Sequence, residues 1–203
     1  MSKSYRGSPV LNGITLSLPS QGLHLIQGEN GRGKTTLFKC LAALEHFNGS
    51  ITWNDRHPRQ AIAAAFDDSS IHPALSGLKN LSVLLDRSPK SLQADQGTVR
   101  FLSVGVLKNS AKGYSMGQRK KLKLTAALMS HRQCILLDEP LAGLDKLGRQ
   151  KLWEALKSAA RQKCIIVADH ETDFYRELNP TTFEIDNGLL LSVPEPLSEG
   201  ITA

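Results

Sequence analysis

Apolar residues come in two rhythms along this chain. Short runs bounded by Gly, Asn or charge, at 22–28 (GLHLIQG), 49–54 (GSITWN), 61–66 (AIAAAF), 133–139 (QCILLDE) and 163–169 (KCIIVAD), read as strands. Between them the apolar positions recur at helical spacing over 34–45, 116–131 and 146–161. Strands alternating with helices predict an α/β fold on a mainly parallel sheet. Ahead of the first run, VLNGITLSL sets Leu11, Ile14, Leu16 and Leu18 among polar residues, apart from a turn at Asn12-Gly13. That pattern predicts N-terminal antiparallel β strands with one exposed face.

The middle of the chain breaks the alternation. Leu75, Leu78, Leu81 and Leu84 recur every third residue, a polar stretch (DRSPKSLQADQG) follows, and TVRFLSVGVL comes after it without a strand pattern. We expect an α-helical subdomain inserted at about 70–113, within a single domain spanning 1–203, with Leu75 and Leu78 forming or supporting an apolar groove. The tail SVPEPLSEGITA has two prolines and little to bury, and is expected to be loosely held.

Composition narrows the classes. At 203 residues there is room for one substantial domain. No run approaches the roughly 18 apolar residues a membrane span needs, and the polar start MSKSYRGSPV lacks a signal-peptide core, so we expect a cytoplasmic protein. Three dispersed cysteines form neither a disulfide framework nor a CxxC site; Cys134 and Cys164, in apolar runs, read as small core residues. The net charge of +6 suits a surface beneath an anionic membrane as well as nucleic acid. Its densest run, Arg119, Lys120, Lys121 and Lys123, has helical spacing and reads as a solvated face, so no nucleic-acid partner is expected.

The chemistry concentrates in GENGRGKTT. Gly28, Gly33, Lys34 and Thr35 match GxxxxGK(S/T), directly after one predicted strand and directly before a predicted helix, the context of a P-loop NTPase core. Glycines let backbone N–H groups converge on phosphates, the helix N-terminus adds partial positive charge, Lys34 reaches the β and γ phosphates, and the Thr35 hydroxyl ligates Mg2+. Glu29, Asn30, Gly31, Arg32 and Thr36 complete the expected nucleotide loop, with the Glu29 side chain pointing away from the phosphates. CILLDEP supplies a buried strand with two carboxylates at its C-terminal end, where ligands gather in parallel sheets. Asp138 is expected to hold Mg2+ and Glu139 to orient or deprotonate the attacking water.

Between these motifs YSMGQRKKLKL resembles the LSGGQ signature of the ATP-binding cassette ATPases: Ser115, Gly117 and Gln118 match, and Tyr114 and Met116 depart. The resemblance extends over almost the whole chain. It implies that Tyr5 stacks on adenine, that LAGLD with Asp145 is the family's D-loop, and that His170 is its switch histidine. It also implies that Ser115 and the N-terminus of its helix close on ATP held by a second cassette in a head-to-tail dimer. Hydrolysis by Glu139, with Lys34 and His170 on the γ-phosphate, would then release that dimer. Where the family carries a glutamine, this chain has Asp67, shorter and charged, which we assign to Mg2+ through water. The implied protein is an ATPase using ATP and Mg2+, on the cytoplasmic face of a membrane through an integral permease subunit.

A further resemblance, in SIHPALSGLKNL, GSITWND and the signature run, is to the cassette that exports haem in c-type cytochrome maturation. Two alternatives stay open: a cassette exporting another substrate, such as a drug or peptide, and a soluble cassette ATPase without a transport role. A small-molecule kinase would have no use for the signature or the D-loop.

Overall fold

The computed structural model describes residues 1–53, 56–68, 71–94 and 101–194. A small antiparallel pair comes first, β1 (Lys3–Tyr5) and β2 (Ser8–Leu11), turned at Arg6-Gly7 with positive φ at both positions, the backbone that suits the twist of a hairpin. The core elements follow as β3 (Gly22–Gln27), α1 (Lys34–Leu41), α2 (Pro58–Ala61) and β4 (Ile62–Ala65). Then come α3 (Gly77–Leu85), α4 (Pro89–Ala94), α5 (Val104–Lys108) and a 3-10 turn at Ala111–Gly113. The chain returns to the core with α6 (Met116–Met129), β5 (Cys134–Asp138), α7 (Lys146–Ala159), β6 (Cys164–Ala168), a 3-10 segment (Thr172–Leu178), β7 (Thr181–Asp186) and β8 (Leu189–Ser192).

Six strands form one sheet in the order β4-β5-β6-β3-β7-β8, parallel except for the edge pair β7-β8. Alternate residues of each central strand feed opposite faces. Ile135 and Leu137 of β5 pack with Leu124 and Leu128 of α6 and Leu152 and Leu156 of α7, whereas Cys134 and Leu136 pack with Leu37 and Phe38 of α1. Burial on both faces explains why β5 and β6 read as continuous apolar runs. A third cluster joins Leu78, Leu81, Leu85, Leu92, Leu107 and Tyr114 to Leu122 of α6, and gives the helical region a small core of its own.

The α/β class, the mainly parallel sheet, the antiparallel N-terminal pair and the helical stretch between β4 and β5 match expectation. Four details differ. The segment 49–53 is not a strand: its one bridge among the described residues is Trp53 to Arg56, and a strand without a ladder partner does not form. The second N-terminal strand stops at Leu11, because the Asn12 amide turns to the Gly188 carbonyl and the Ile14 amide to that of Met1. The β7-β8 hairpin went unpredicted although Asn187-Gly188, both with positive φ, is a strong hairpin signal between apolar runs. Finally, Leu78 is 7% exposed inside the third cluster, while Val83 and Leu84 face outward at 73% and 53%. The apolar groove expected at Leu78 is core, because Leu78, Leu81 and Leu85 share one face of α3. The tail from 195 onward and residues 95–100 of the insertion lie outside the described residues.

Candidate functional site

The P-loop is built by backbone conformations open to glycine. Gly28, Gly31 and Gly33 have φ of 147°, 83° and 105°, and a Cβ on Gly28 would lie 2.7 Å from the Ile185 carbonyl oxygen. Gly33 is the N-cap of α1 and offers no side-chain cap, so the first amides of that helix have no intrahelical or capping partner. Lys34 is buried beneath the loop; its ammonium donates to the carbonyls of Gly28 at 2.5 Å and Glu29 at 3.0 Å. These bonds curl the loop around the lysine and keep its charge beneath the loop backbone. The Glu29 carboxylate accepts from Arg32 at 2.9 Å, and Arg32 also meets Asp186 at 3.2 Å. Asn30 and Gly31 are exposed at the loop crest, and Thr36 is half-buried one residue beyond Thr35.

The decisive contact spans 103 residues: the Thr35 hydroxyl donates to Asp138 Oδ2 at 2.8 Å. Asp138 ends β5 and is buried, and its second oxygen, Oδ1, has no partner. Burial raises the Asp138 carboxyl above the usual range; the Thr35 bond opposes this, and neighbouring Glu139 adds to it. An orphaned carboxylate oxygen beside a hydroxyl is a donor set that a hydrated Mg2+ fits, since hard cations take oxygen ligands and repay the desolvation of the charge. Glu139 follows with a φ of 45°, uncommon for a residue with a Cβ, and its amide donates to the Ala168 carbonyl at 2.8 Å. That bond holds the backbone at the turn where the chain leaves β5.

β6 ends beside β5, in register Asp138 to Ala168, and delivers Asp169 and His170 to the same rim. Asp169 is buried and fully used: Oδ1 accepts from the amides of His170 at 2.8 Å and Glu171 at 3.1 Å, and Oδ2 accepts from the Tyr175 hydroxyl at 2.8 Å. The His170 ring is mostly exposed, with Nδ1 3.6 Å from Asp169. Sequence reasoning missed Asp169; a polar residue ending a fully buried strand, VADH, is the signal that could have marked it.

The signature residues lie on α6. Ser115 is its N-cap and forms a capping box with Gln118: the Gln118 amide donates to Ser115 Oγ at 3.2 Å, and Gln118 Oε1 accepts from the Ser115 amide at 3.0 Å. Gly117 sits against the loop after β5, where a Cβ would lie 3.2 Å from the Gly143 carbonyl. Met116 is 89% exposed at the tip of the helix. Asp145 caps α7 through the Gly148 amide at 2.9 Å and pairs with Lys121 at 3.0 Å, which holds its carboxyl below the usual range.

Asp67 is not in contact with Thr35 or Asp138. Its carboxylate accepts from Lys120 at 2.7 Å, and the same ammonium reaches the Asp138 carbonyl at 3.4 Å. Lys123 donates to the carbonyls of Phe66 and Asp67. Two members of the basic run on α6 therefore tether the segment after β4, which the reading as a solvated face missed. Tyr5 stands on β1 with the Lys3 ammonium 4.5 Å over its ring, away from the contacts that join Lys34, Thr35 and Asp138. The structure thus brings together the P-loop, Thr35 and Asp138, and sets Glu139 and His170 on adjacent strand ends. Tyr5 and the signature stand apart from them.

Several known proteins are similar to this chain. A family model described as ABC transporter matches residues 11–142. The aliphatic sulfonates import ATP-binding protein SsuB 1 of Paracoccus denitrificans (strain Pd 1222) is 30% identical over 179 residues, covering 85% of this chain and 72% of that protein. The Nod factor export ATP-binding protein I of Burkholderia orbicola (strain AU 1054) is 32% identical over 182 residues, covering 83% of this chain and 60% of that protein. Among solved structures, an ATP binding subunit of an ABC transporter superposes with a TM-score of 0.78 at 19% identity, covering 95% of this chain and 87% of that one. The dimeric structure of a post-hydrolysis state of the ATP-binding cassette MJ0796, bound to ADP and Pi, superposes with a TM-score of 0.74 at 17% identity, covering 96% of each chain. At such identities the likeness speaks for the fold.

Proposed function

The chain belongs to the ABC transporter family, and from that premise we propose that it is the ATP-binding and ATP-hydrolysing subunit of a membrane transporter. The observation that carries this reading is the Thr35–Asp138 bond with its orphaned Oδ1, which joins phosphate loop and strand end into one nucleotide and cation site. Thr35 and Asp138 would hold Mg2+, which supplies charge neutralisation for the phosphates when bound. Gly28 to Thr36 cradle the phosphates of ATP, and Lys34 exchanges its two loop carbonyls for phosphate oxygens. Glu139 takes the proton of the attacking water, and His170, exposed on the neighbouring strand end, contacts the γ-phosphate. Asp67, held by Lys120, acts at most through water on this cation.

A second copy of the chain completes the site. The uncovered N-terminus of α6, with Ser115 and the exposed Met116, suits a head-to-tail partner whose bound ATP it closes over. A related cassette fold, MJ0796, is dimeric. No helix among the described residues is long and apolar enough to cross a membrane, so attachment to the cytoplasmic face would run through a permease subunit, with Val83 and Leu84 of α3 as exposed apolar contacts. The finer reading, export and haem as its cargo, rests on the resemblance of 49–55, 70–81 and the signature run alone; the relatives named above include an importer and an exporter, neither of haem. Loss of c-type cytochromes on deletion of the gene would support it, and unchanged levels would remove it.

The ATPase reading is tested by Glu139→Gln. The amide keeps the shape and loses the base, so phosphate release should fall by about 10²- to 10⁴-fold while ATP binding persists. Hydrolysis at an undiminished rate in the purified variant would take Glu139 out of this role.

A further inference from the structure

Beneath α1, on the face of the sheet away from α6 and α7, three reactive side chains that the ATPase reading does not use share one patch. Cys134 of β5 and Cys164 of β6 are in-register neighbours on adjacent parallel strands and point to the same side. Such strands run about 4.8 Å apart, within the Cα separation that a disulfide bridges. Both cysteines are free thiols and both are buried. Next in the sheet, β3 places His24 beside Ile166, and both of its ring nitrogens are buried without a hydrogen-bond partner. A buried imidazole with neither nitrogen satisfied is costly, and it supplies a proton acceptor with no other task.

The patch is not sealed. A cavity of 260 Å³ opens over this face, lined among others by Met1, Leu16, Leu37, Trp53, Leu136 and Cys134. Cys134 lines this cavity and Cys164 does not, so a small molecule that enters it meets the Cys134 side first. Among the described residues no group of three His, Cys, Asp or Glu side chains is arranged to hold a metal ion.

We propose that Cys134 and Cys164 form a peroxide-reactive dithiol that closes to an intrachain disulfide, with His24 as its proton acceptor. The Cys134 sulfur attacks one oxygen of hydrogen peroxide, the O–O bond breaks, and water leaves with the thiol proton, so that Cys134 becomes a sulfenic acid. The Cys164 sulfur then attacks the Cys134 sulfur, its proton passes to His24 and from there to the departing hydroxyl group, which leaves as a second water. Two thiols lose two electrons in all, and one peroxide takes them up. Access puts Cys134 first, since it lines the cavity and Cys164 does not, and thiolate character suits Cys164 to the second attack: its thiol is drawn down to about 6 by the neighbouring Cys134 thiol, against burial and with help from His24. Cys134 is pushed up by Cys164 and by burial, so the two sulfurs differ in thiolate character. Cys40, on α1, has no such partner, and burial raises its thiol.

The test is a thiol map of the purified full-length chain. After hydrogen peroxide treatment the protein is unfolded in a maleimide, digested and analysed by mass spectrometry. The expected result is a peptide pair linking Cys134 to Cys164, reversed by dithiothreitol, with Cys40 carrying the label. In a His24→Leu variant with an unchanged melting temperature, linkage should slow by about tenfold; an unchanged rate removes His24 from the step. Full labelling of all three thiols, linkage through Cys40 or between chains, or sulfinic acid without linkage, would each overturn the proposal.

Discussion

The two helix N-termini that the proposed function assigns to phosphate are built in opposite ways. α1 begins at Gly33, in a left-handed conformation and without a side-chain cap, and depends on distant residues for its order: Thr35 is tied to Asp138, and Gly33 is closed in by Val10 and Leu11 of β2. α6 begins at Ser115 with a complete capping box and is satisfied within four residues. The first terminus has spare N–H groups and a buried lysine, so it is shaped to accept an anion from its own chain's solvent side. The second is stable by itself and presents Met116 outward, as a surface does that waits for a partner. The lesson is that one terminus is preorganised by tertiary contacts and the other by local ones, a difference that fits the proposed roles of a site used alone and a site completed by another subunit.

Removing the Thr35 hydroxyl should disturb this contrast most. Thr35→Ala leaves both oxygens of a buried Asp138 unpartnered, a loss of about 1–3 kcal/mol in the nucleotide-free protein. Denaturant unfolding measures it, and Thr35→Ser should restore most of it. Equal stability of the alanine variant would mean that Asp138 is not held through Thr35.

Ser115→Ala strikes the other terminus. Losing an N-cap costs about 1 kcal/mol, roughly 2–4 °C in melting temperature for a chain of this size. The sharper readout is functional: the variant should bind ATP as the parent does and lose ATP-dependent dimers, seen by size-exclusion chromatography. Weakened ATP binding at low protein concentration, where the chain is monomeric, would place Ser115 in its own chain's site and erase the distinction between the two helices.

The smallest effect belongs to Tyr5, on the hairpin that packs near α1. Tyr5→Ala should weaken ATP binding by about 0.5–1.5 kcal/mol, the worth of an aromatic stack, and Tyr5→Trp should not. A calorimetric titration decides; unchanged affinity in the alanine variant would leave the ring to its Lys3 contact and take adenine away from it.

Legibility along the chain followed the range of the interactions. The P-loop, β5 and β6 were readable because glycines at left-handed positions and uninterrupted apolar runs are local signatures of a backbone cradle and a two-sided burial. The capping box of Ser115 and Gln118 lies within four residues and could equally have been read. The segment 49–53 misled because alternation alone cannot supply a ladder partner. Leu78 misled because spacing by three identifies a helix face without saying whether core or solvent meets it; Asn80, buried and bonded to the His72, Leu75 and Ser76 carbonyls, fixes that face inward. Lys120 and Lys123 looked like solvated charge because nothing in a helix's own sequence announces that Asp67 and its carbonyl will arrive beside it.

The alternation of strands and helices through the core and the family of the chain were legible in the sequence, since both depend on residue types at short spacings; the strand expected at 49–53 and the unforeseen β7-β8 hairpin were not. Which carboxylate oxygen of Asp138 is left free, which lysine holds Asp67, and that Cys134, Cys164 and His24 share one patch were decided by the tertiary structure. Parallel strands place side by side residues that are 30 to 157 positions apart, and only their register chooses the neighbours.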